Sequence, residues 1–255
     1  MRYAILTSGS CGNCYAFYDG KSAILIDDGL TLTGLKKRLA DVDIPFGAIT
    51  DVFVTHSHPD HSKGLGVLRR SIAPALHASR LSITADERVY ARLGLTAADF
   101  IPFDFGTPVQ TGDYSLTPFP TSHDAAGSAG YLVENGESRF FLMTDTGVLP
   151  EMSHELALRA NVLFIESNYD ETMLEAGAYP AFLKRRISGV RGHLSNRQAH
   201  DFIGMLPCDG RRIFLIHLSD NNNTPQAVRG LYSGSAHEPV VCERGATYGG
   251  YDVQI

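Results

Sequence analysis

The sequence predicts an α/β fold built in layers, on three observations. Short β-branched and aromatic runs bounded by Gly, Asp and Ser open each half of the chain. Runs with helical spacing of Leu and Ile follow. The polar residues with chemical potential sit just past the apolar runs. Strand meanders followed by strand–helix units, in each half, fit a layered sandwich better than a doubly wound sheet.

Taken in order, "YAILTS" (3–8), "CYAFYDG" (14–20) and "SAILIDD" (22–28) read as strands, with the glycine-rich turn "SGSCGN" between the first two. "TLTGLKKRLADVDI" (31–44) has a Thr cap and Leu at helical spacing. "DVFVT" (51–55) is a buried strand, and "GLGVLRRSI" (64–72) a helix beyond it. "PALHAS" places His77 after a short strand. The segment 129–145 reads as a hairpin around Asn135–Gly136, a strong turn signal. "NVLFIES" (161–167) and "RRIFLIHLS" (211–219) are strands ending in polar residues. Helices fit 178–188, 195–206 and 224–232, with Ser195 or Asn196 as a cap. No repeat, low-complexity tract or linker interrupts this, so residues 1–255 read as one domain.

With 44% apolar and 20% charged residues, the 255-residue chain is composed as a globular enzyme with one sizeable core. No apolar run approaches the roughly 18–20 residues of a membrane span. "MRYAILTSGSCGNCY" carries no signal-peptide pattern, so the expectation is a cytoplasmic protein with no membrane partner. Cys11 and Cys14 form a C-x-x-C, but in a glycine-rich turn, and Cys208 and Cys242 are isolated. They read as structural thiols, not a redox pair or half a zinc site.

The chemistry begins at "FVTHSHPDHSKG". His56, His58, Asp60 and His61 fall within six residues, straight after an apolar run. Such a loop offers two imidazoles to one ion and a carboxylate with an imidazole to a second. Both donor types suit zinc, and also manganese or iron. Further donors follow later apolar runs: His123 in "FPTSHDAAG", Asp145 in "FFLMTDTG" and His217 in "IFLIHLSD". A net charge of −6 excludes a basic glove for nucleic acid, but two divalent ions would attract phosphate themselves. The clusters at 36–38, 69–70, 184–186 and 211–212 read as solvated helix charge.

This series of residues resembles the metallo-β-lactamase superfamily: an Asp after an early strand (Asp27 in "AILIDDG"), H-x-H-x-D-H, a lone His, an Asp and a final His. The resemblance implies a four-layered αββα sandwich with a dinuclear site on one rim. It implies that His56, His58 and His123 bind one metal and Asp60, His61 and His217 the other. Asp145 would bridge them with a water or hydroxide, and Asp27, not its neighbour Asp28, would orient the histidine loop from behind. The commonest β-lactamases carry Arg at the place of His61 and Cys at the place of Asp145, so antibiotic hydrolysis is not expected. The segment after His217 leaves little room for the helical domain of glyoxalase-type thioesterases, and no large insertion separates Asp145 from His217.

"SGSCGN" (8–13), "ESNYD" (166–170), "RGHLSN" (191–196) and "IHLSDNNNTP" (216–225) resemble the YycJ/WalJ-type branch, which is similar to ribonuclease Z in core sequence and associated with 5′-to-3′ exonuclease action on DNA. That branch usually has His where this chain has Tyr169, a departure expected to alter substrate contact. The implied activity is phosphodiester hydrolysis, with nucleic acid as partner and two divalent ions (Zn or Mn, with Fe also suited) as cofactors. The catalytic candidates are Asp60, Glu166 and His193, the last two resembling the Glu–His dyad of ribonuclease Z. A hydrolase of a small ester, lactone or thioester is the alternative. The glycines of "SGSCGN" and the helix start after "LSN" are expected to offer N–H groups to phosphate. His77, His154, His200 and His237 read as structural.

Overall fold

The computed structural model describes residues 1–85 and 87–253. In chain order the strands are β1 Arg2–Thr7, β2 Cys14–Tyr18, β3 Ala23–Ile26, β4 Ile49–Phe53, β5 Ala75–Ser79, β6 Phe100–Phe103, β7 Val109–Thr111, β8 Tyr114–Pro120, β9 Ala129–Asn135, β10 Ser138–Met143, β11 Val162–Glu166, β12 Arg212–Ile216, β13 Val240–Val241 and β14 Tyr248–Asp252. The helices are α1 Leu32–Asp41, α2 Pro59–Ser62, α3 Leu65–Ile72, α4 Arg80–Ala85, α5 Glu87–Arg92, α6 Ser153–Leu158, α7 Glu171–Ala176, α8 Ala181–Ile187, α9 Asn196–Gly204 and α10 Pro225–Leu231.

Two seven-stranded sheets form, in the orders β14-β1-β2-β3-β4-β5-β6 and β13-β12-β11-β10-β9-β8-β7. Each begins as an antiparallel meander and continues in parallel strands, β3 through β6 in one and β10 through β13 in the other. Parallel strands need crossover connections, and the helices supply them.

Strand alternation sorts the side chains into three cores. Tyr3, Ile5, Ile24, Ile26, Phe140, Phe164, Phe214 and Ile216 meet between the sheets. Ala4, Leu6, Ala23 and Leu25 face α1 and α3, packing with Leu35, Leu39, Leu65 and Leu68. Leu163, Ile165, Ile213 and Leu215 face α6, α9 and α10, against Leu156, Phe202 and Val228. The result is the expected αββα sandwich.

Thr31 caps α1, and Ser195 caps α9 in a reciprocal box with Gln198. The hairpin turns at Gly136 with φ +58°, a conformation glycine adopts freely. His77 lies inside β5, not after it, stacked on Phe53 and 2.7 Å from Asp51.

Candidate metal centre

The loops past the strand ends converge on one rim. β3 leads to Asp27, β4 to His56, His58, Asp60 and His61, β8 to His123, β10 to Asp145 and β12 to His217, while Glu166 ends β11. Asp27, Asp145 and His217 hold left-handed backbone, at φ 61°, 51° and 58°. Non-glycine residues rarely sit there. The chain turns sharply at each strand end and aims the side chain along the rim.

Four groups of donors form, each with ligand atoms within 4.8 Å of one another: His56, His58 and His123; His56, His61 and Asp145; Asp60, His61 and His217; and Asp145, Glu166, His193 and His217. His58 Nδ1 lies 3.1 Å from His56 Nε2 and 3.2 Å from His123 Nε2. A tetrahedral ion with N ligands at about 2.0–2.1 Å would set such nitrogens about 3.3 Å apart. Asp145 reaches both sides: Oδ2 is 3.2 Å from His61 Nε2, and Oδ1 is 3.6 Å from His123 Nε2. His217 Nε2 is buried with no hydrogen-bond partner among the described residues and points 3.7 Å from Asp60 Oδ2. An orphaned imidazole nitrogen beside carboxylates fits a cation.

Four of the five imidazoles, all but His58, are held by the other nitrogen, the outer support typical of metal ligands. His61 Nδ1 faces Asp27 Oδ2 at 2.6 Å. Thr55 Oγ1 donates to the same oxygen at 2.7 Å, leaving it to accept from His56 Nδ1 at 3.0 Å. His123 Nδ1 donates to the Gly192 carbonyl at 2.9 Å. His217 Nδ1 lies 2.9 Å from Glu166 Oε1. Asp28 takes no part, since its carboxylate faces Leu30 N and the backbone at Gly64.

Electrostatics matches this geometry. Burial disfavours the Asp145 charge, but His217, His61 and His56 hold its carboxyl well below the usual range. Burial likewise opposes a charge on His61, yet Asp145, Asp27 and Asp60 raise it to about 10. The carboxylates draw protons or cations onto His61 and His217, whereas burial pushes His56 and His58 down.

His193 Nδ1 lies 2.8 Å from Glu166 Oε1, the pairing expected from the sequence. Glu166 does more than serve His193. Its Oε1 also faces His217, and Oε2 accepts from Thr146 N and Leu194 N, both at 3.0 Å. Burial works against its charge, but His193 and the hydrogen bond with His217 hold it down at about 2.

A cavity of about 250 Å³ opens over the donors, lined by His58, Asp60, His123, Asp145, His193 and His217. Asp124, Asn168, Tyr179, Leu183 and Arg186 complete much of its wall. Sequence reasoning missed several of these. Arg186, taken for helix-surface charge, binds Asp124 Oδ2 at 2.6 Å, while Asp124 Oδ1 is 3.4 Å from His123 Nε2 and 3.6 Å from His58 Nε2. Asn13, outside the cavity lining, sits in the glycine-rich turn. Paired with Gly9 through both amide atoms, it points Nδ2 to 3.4 Å from Asp60 Oδ2. Asn168 Nδ2 donates to the His217 carbonyl at 2.9 Å. For Asn13 and Asn168 the signal lay in their place within motif strings; Arg186 had none.

Two expectations need correction. Tyr169 is buried and absent from the cavity lining, so it meets packing and the Ser195 backbone bridge instead of substrate. The α9 N-terminus is closed by its own Ser195–Gln198 box, which spends donors that phosphate would need. Cys11 is a free, exposed thiol and Cys14 a free, buried one.

Residues 23–218 match the family model described as Beta-lactamase superfamily domain. The chain belongs to that family, the metallo-β-lactamase-fold superfamily, and is a metal-dependent hydrolase. Within the superfamily it falls in the YycJ/WalJ-type branch. It is 32% identical over 230 residues to a protein named exodeoxyribonuclease YycJ from Bacillus anthracis, covering 90% of this chain and 86% of the relative. It is 32% identical over 224 residues to exodeoxyribonuclease WalJ from Streptococcus pneumoniae, covering 88% and 83%. Among solved structures, Zn(2+)-bound PqqB from Methylobacterium extorquens matches with a TM-score of 0.72 at 18% identity, over 97% of this chain and 99% of that one, a likeness of fold.

Proposed function

We propose that this chain is a dinuclear phosphodiesterase that degrades DNA from an end, in the 5′-to-3′ direction. The observation that carries it is the Glu166–His193 pair at 2.8 Å, set in the wall of the cavity that the metal-ligand candidates line. The names of the curated relatives support the nucleic-acid substrate.

His56, His58 and His123 would hold one divalent ion and Asp60, His61 and His217 the other, with Asp145 between. Zinc or manganese suits these donors, and iron is the further candidate. When bound, such a pair supplies Lewis-acid polarisation of the phosphate and an activated water. The remaining work falls to the protein. Asp60, its Oδ2 3.6 Å from His61 Nε2 and 3.7 Å from His217 Nε2, would complete the donor set of the second ion. Arg186 presents a guanidinium to the nonbridging oxygens once it leaves Asp124. His193, oriented through Nδ1 by the Glu166 carboxylate at 2.8 Å, gives the departing deoxyribose oxygen its proton. Phe182, largely exposed on α8 beside Arg186, offers a stacking face for a base.

One domain across residues 1–255 is part of this reading, supported by β14 pairing with β1. So is the cytoplasm, where four free thiols stay reduced. No helix among the described residues is long and apolar enough to cross a membrane. The polar cavity with its guanidinium favours a phosphodiester over a small ester, lactone or thioester. The test is hydrolysis of labelled single- and double-stranded DNA and RNA, with a generic phosphodiester and a lactone, by the metal-loaded protein. DNA shortened from its 5′ end, with affinity falling as salt rises, is expected. Hydrolysis of the lactone with DNA left intact would overturn the reading.

A further inference from the structure

A second cavity, of about 610 Å³, lies against the metal centre and shares His58 and Asp124 with it. The volume falls within the roughly 300–1,000 Å³ of small-molecule sites. Its walls are mainly aliphatic, from Pro59, Val89, Leu93, Ala125 and Ala126, with Lys63 and Arg92 also in the lining. Both sides are fastened. Ser62 Oγ donates to the Ser57 and His58 carbonyls at 3.0 and 2.9 Å. Across from it, Ser82 Oγ donates to Ala126 O at 2.7 Å and Ser79 Oγ to Gly127 O at 2.9 Å. Gly127 has φ +70°, and a Cβ there would come within 2.1 Å of Ser79 Oγ. The loop 124–127 is therefore held in one place against α4, and the cavity is preformed.

We propose that this cavity receives the terminal nucleoside of the strand, the one esterified to the scissile phosphate; the inference rests on the phosphodiesterase reading above. A phosphate at the donor cluster has two substituents. One faces α8, where Arg186 and the polar wall suit a continuing, charged backbone. The other faces His58 and the aliphatic cavity beyond it, which suits an unstacked base and sugar and is a poor track for further phosphates. Lys63 and Arg92 give that side positive charge for a phosphate on the terminal sugar. The Asp124 carboxylate on the shared wall is balanced by Arg186 at 2.6 Å. A site that accepts one nucleoside on this side would select strand ends over internal bonds.

The test compares two diesters that leave through the same kind of 3′-oxygen, 5′-phosphorylated thymidylyl-(3′→5′)-thymidine and its counterpart with an abasic spacer in place of the 5′ nucleoside, on the zinc- or manganese-loaded protein. Wild type should prefer the ester with the 5′ thymidine. Ala126→Trp and Val89→Trp, which fill the cavity from its walls, should each lose at least about tenfold in kcat/KM on that ester and leave the abasic ester near wild type. Binding of thymidine 5′-monophosphate, read by calorimetry, should weaken in parallel. A wild type that cleaves both esters equally well would overturn the subsite, as would variants that change neither ester or change both alike. A wild type that cleaves neither ester nor DNA would instead overturn the phosphodiesterase reading itself.

Discussion

His193 and His217 share one oxygen of Glu166, and that sharing separates what their neighbours' substitutions should do. His193→Ala removes the proposed proton donor and no ligand candidate of either ion. It should keep both metals and the fold yet lose roughly 10²-fold or more in DNA turnover. The loss should shrink on a nitrophenyl phosphodiester, whose leaving group departs without a proton. Kinetics on the two substrates, with elemental analysis, checks this; an equal loss on both would make His193 a phosphate-binding or structural residue. Glu166→Gln is a different lesion. A carboxylate serving His193 alone would make it a weaker copy of His193→Ala, but the structure puts the same carboxylate behind His217. Metal affinity should therefore fall as well, by about 10–100-fold, as loss of an outer ligand support does. A metal titration of the variant decides it. The donor residues were legible because few side chains bind such metals, and here four His and Asp donors crowd one loop while the rest follow apolar runs. Glu166's second partner was not, because His217 lies on another strand and only the β11–β12 register brings it close.

Between elements, Asp51 on β4 ties the sheets together: it accepts from His77 on β5 and, through Oδ2, from Thr111 on β7 at 2.8 Å. Burial works against its charge, but the bonds from His77, Thr111 and Thr50 hold its carboxyl below the usual range. A carboxylate held down in the folded state adds stability that is full above its unfolded value of about 4 and is lost as the pH falls through the lower folded value. Asp51→Asn should cost about 1–3 kcal/mol at neutral pH and flatten the acid limb of stability. Denaturant melts between acid and neutral pH measure both. Legibility at this scale followed length and pattern. The runs at 3–8, 14–20 and 22–28 declare themselves through β-branched and aromatic content. β6 carries Pro102, β7 has three residues, β13 two, and β14 reads "YGGYD"; such edge strands form because a neighbour is already in place, not by propensity. α8 was legible as a helix, but its role over the cavity was not, since nothing local marks Arg186 as facing Asp124.

The whole molecule places the site between its two sheets. Asp27 and the His56–His61 loop belong to one, and His123, Asp145, Glu166 and His217 to the other. Ions held across that boundary bind the folded state and not the separated sheets, so they should stabilise by mass action. Chelation should lower the melting temperature by several degrees, and zinc or manganese should restore it, while magnesium, which favours oxygen donors, should restore less. A melt unchanged by chelator would mean that the donors are satisfied without a cation. The four-layer arrangement was legible because each half repeats a meander and then parallel units. The second cavity was not, because its walls come from Pro59, α5 and the loop after His123, segments that sequence alone does not bring together.

The claim on which the account turns is that two ions, bridged by Asp145, make the hydrolytic site. It is tested most directly by adding zinc or manganese stepwise to metal-stripped protein while recording bound metal and 5′-to-3′ shortening of labelled DNA. Activity should rise to its maximum only as the second equivalent binds. Asp145→Ala should bind about one equivalent and stay nearly inactive, since it lacks the carboxylate proposed to serve both sites. Full activity at one equivalent, or an Asp145→Ala protein that holds two ions and still cleaves DNA, would contradict it.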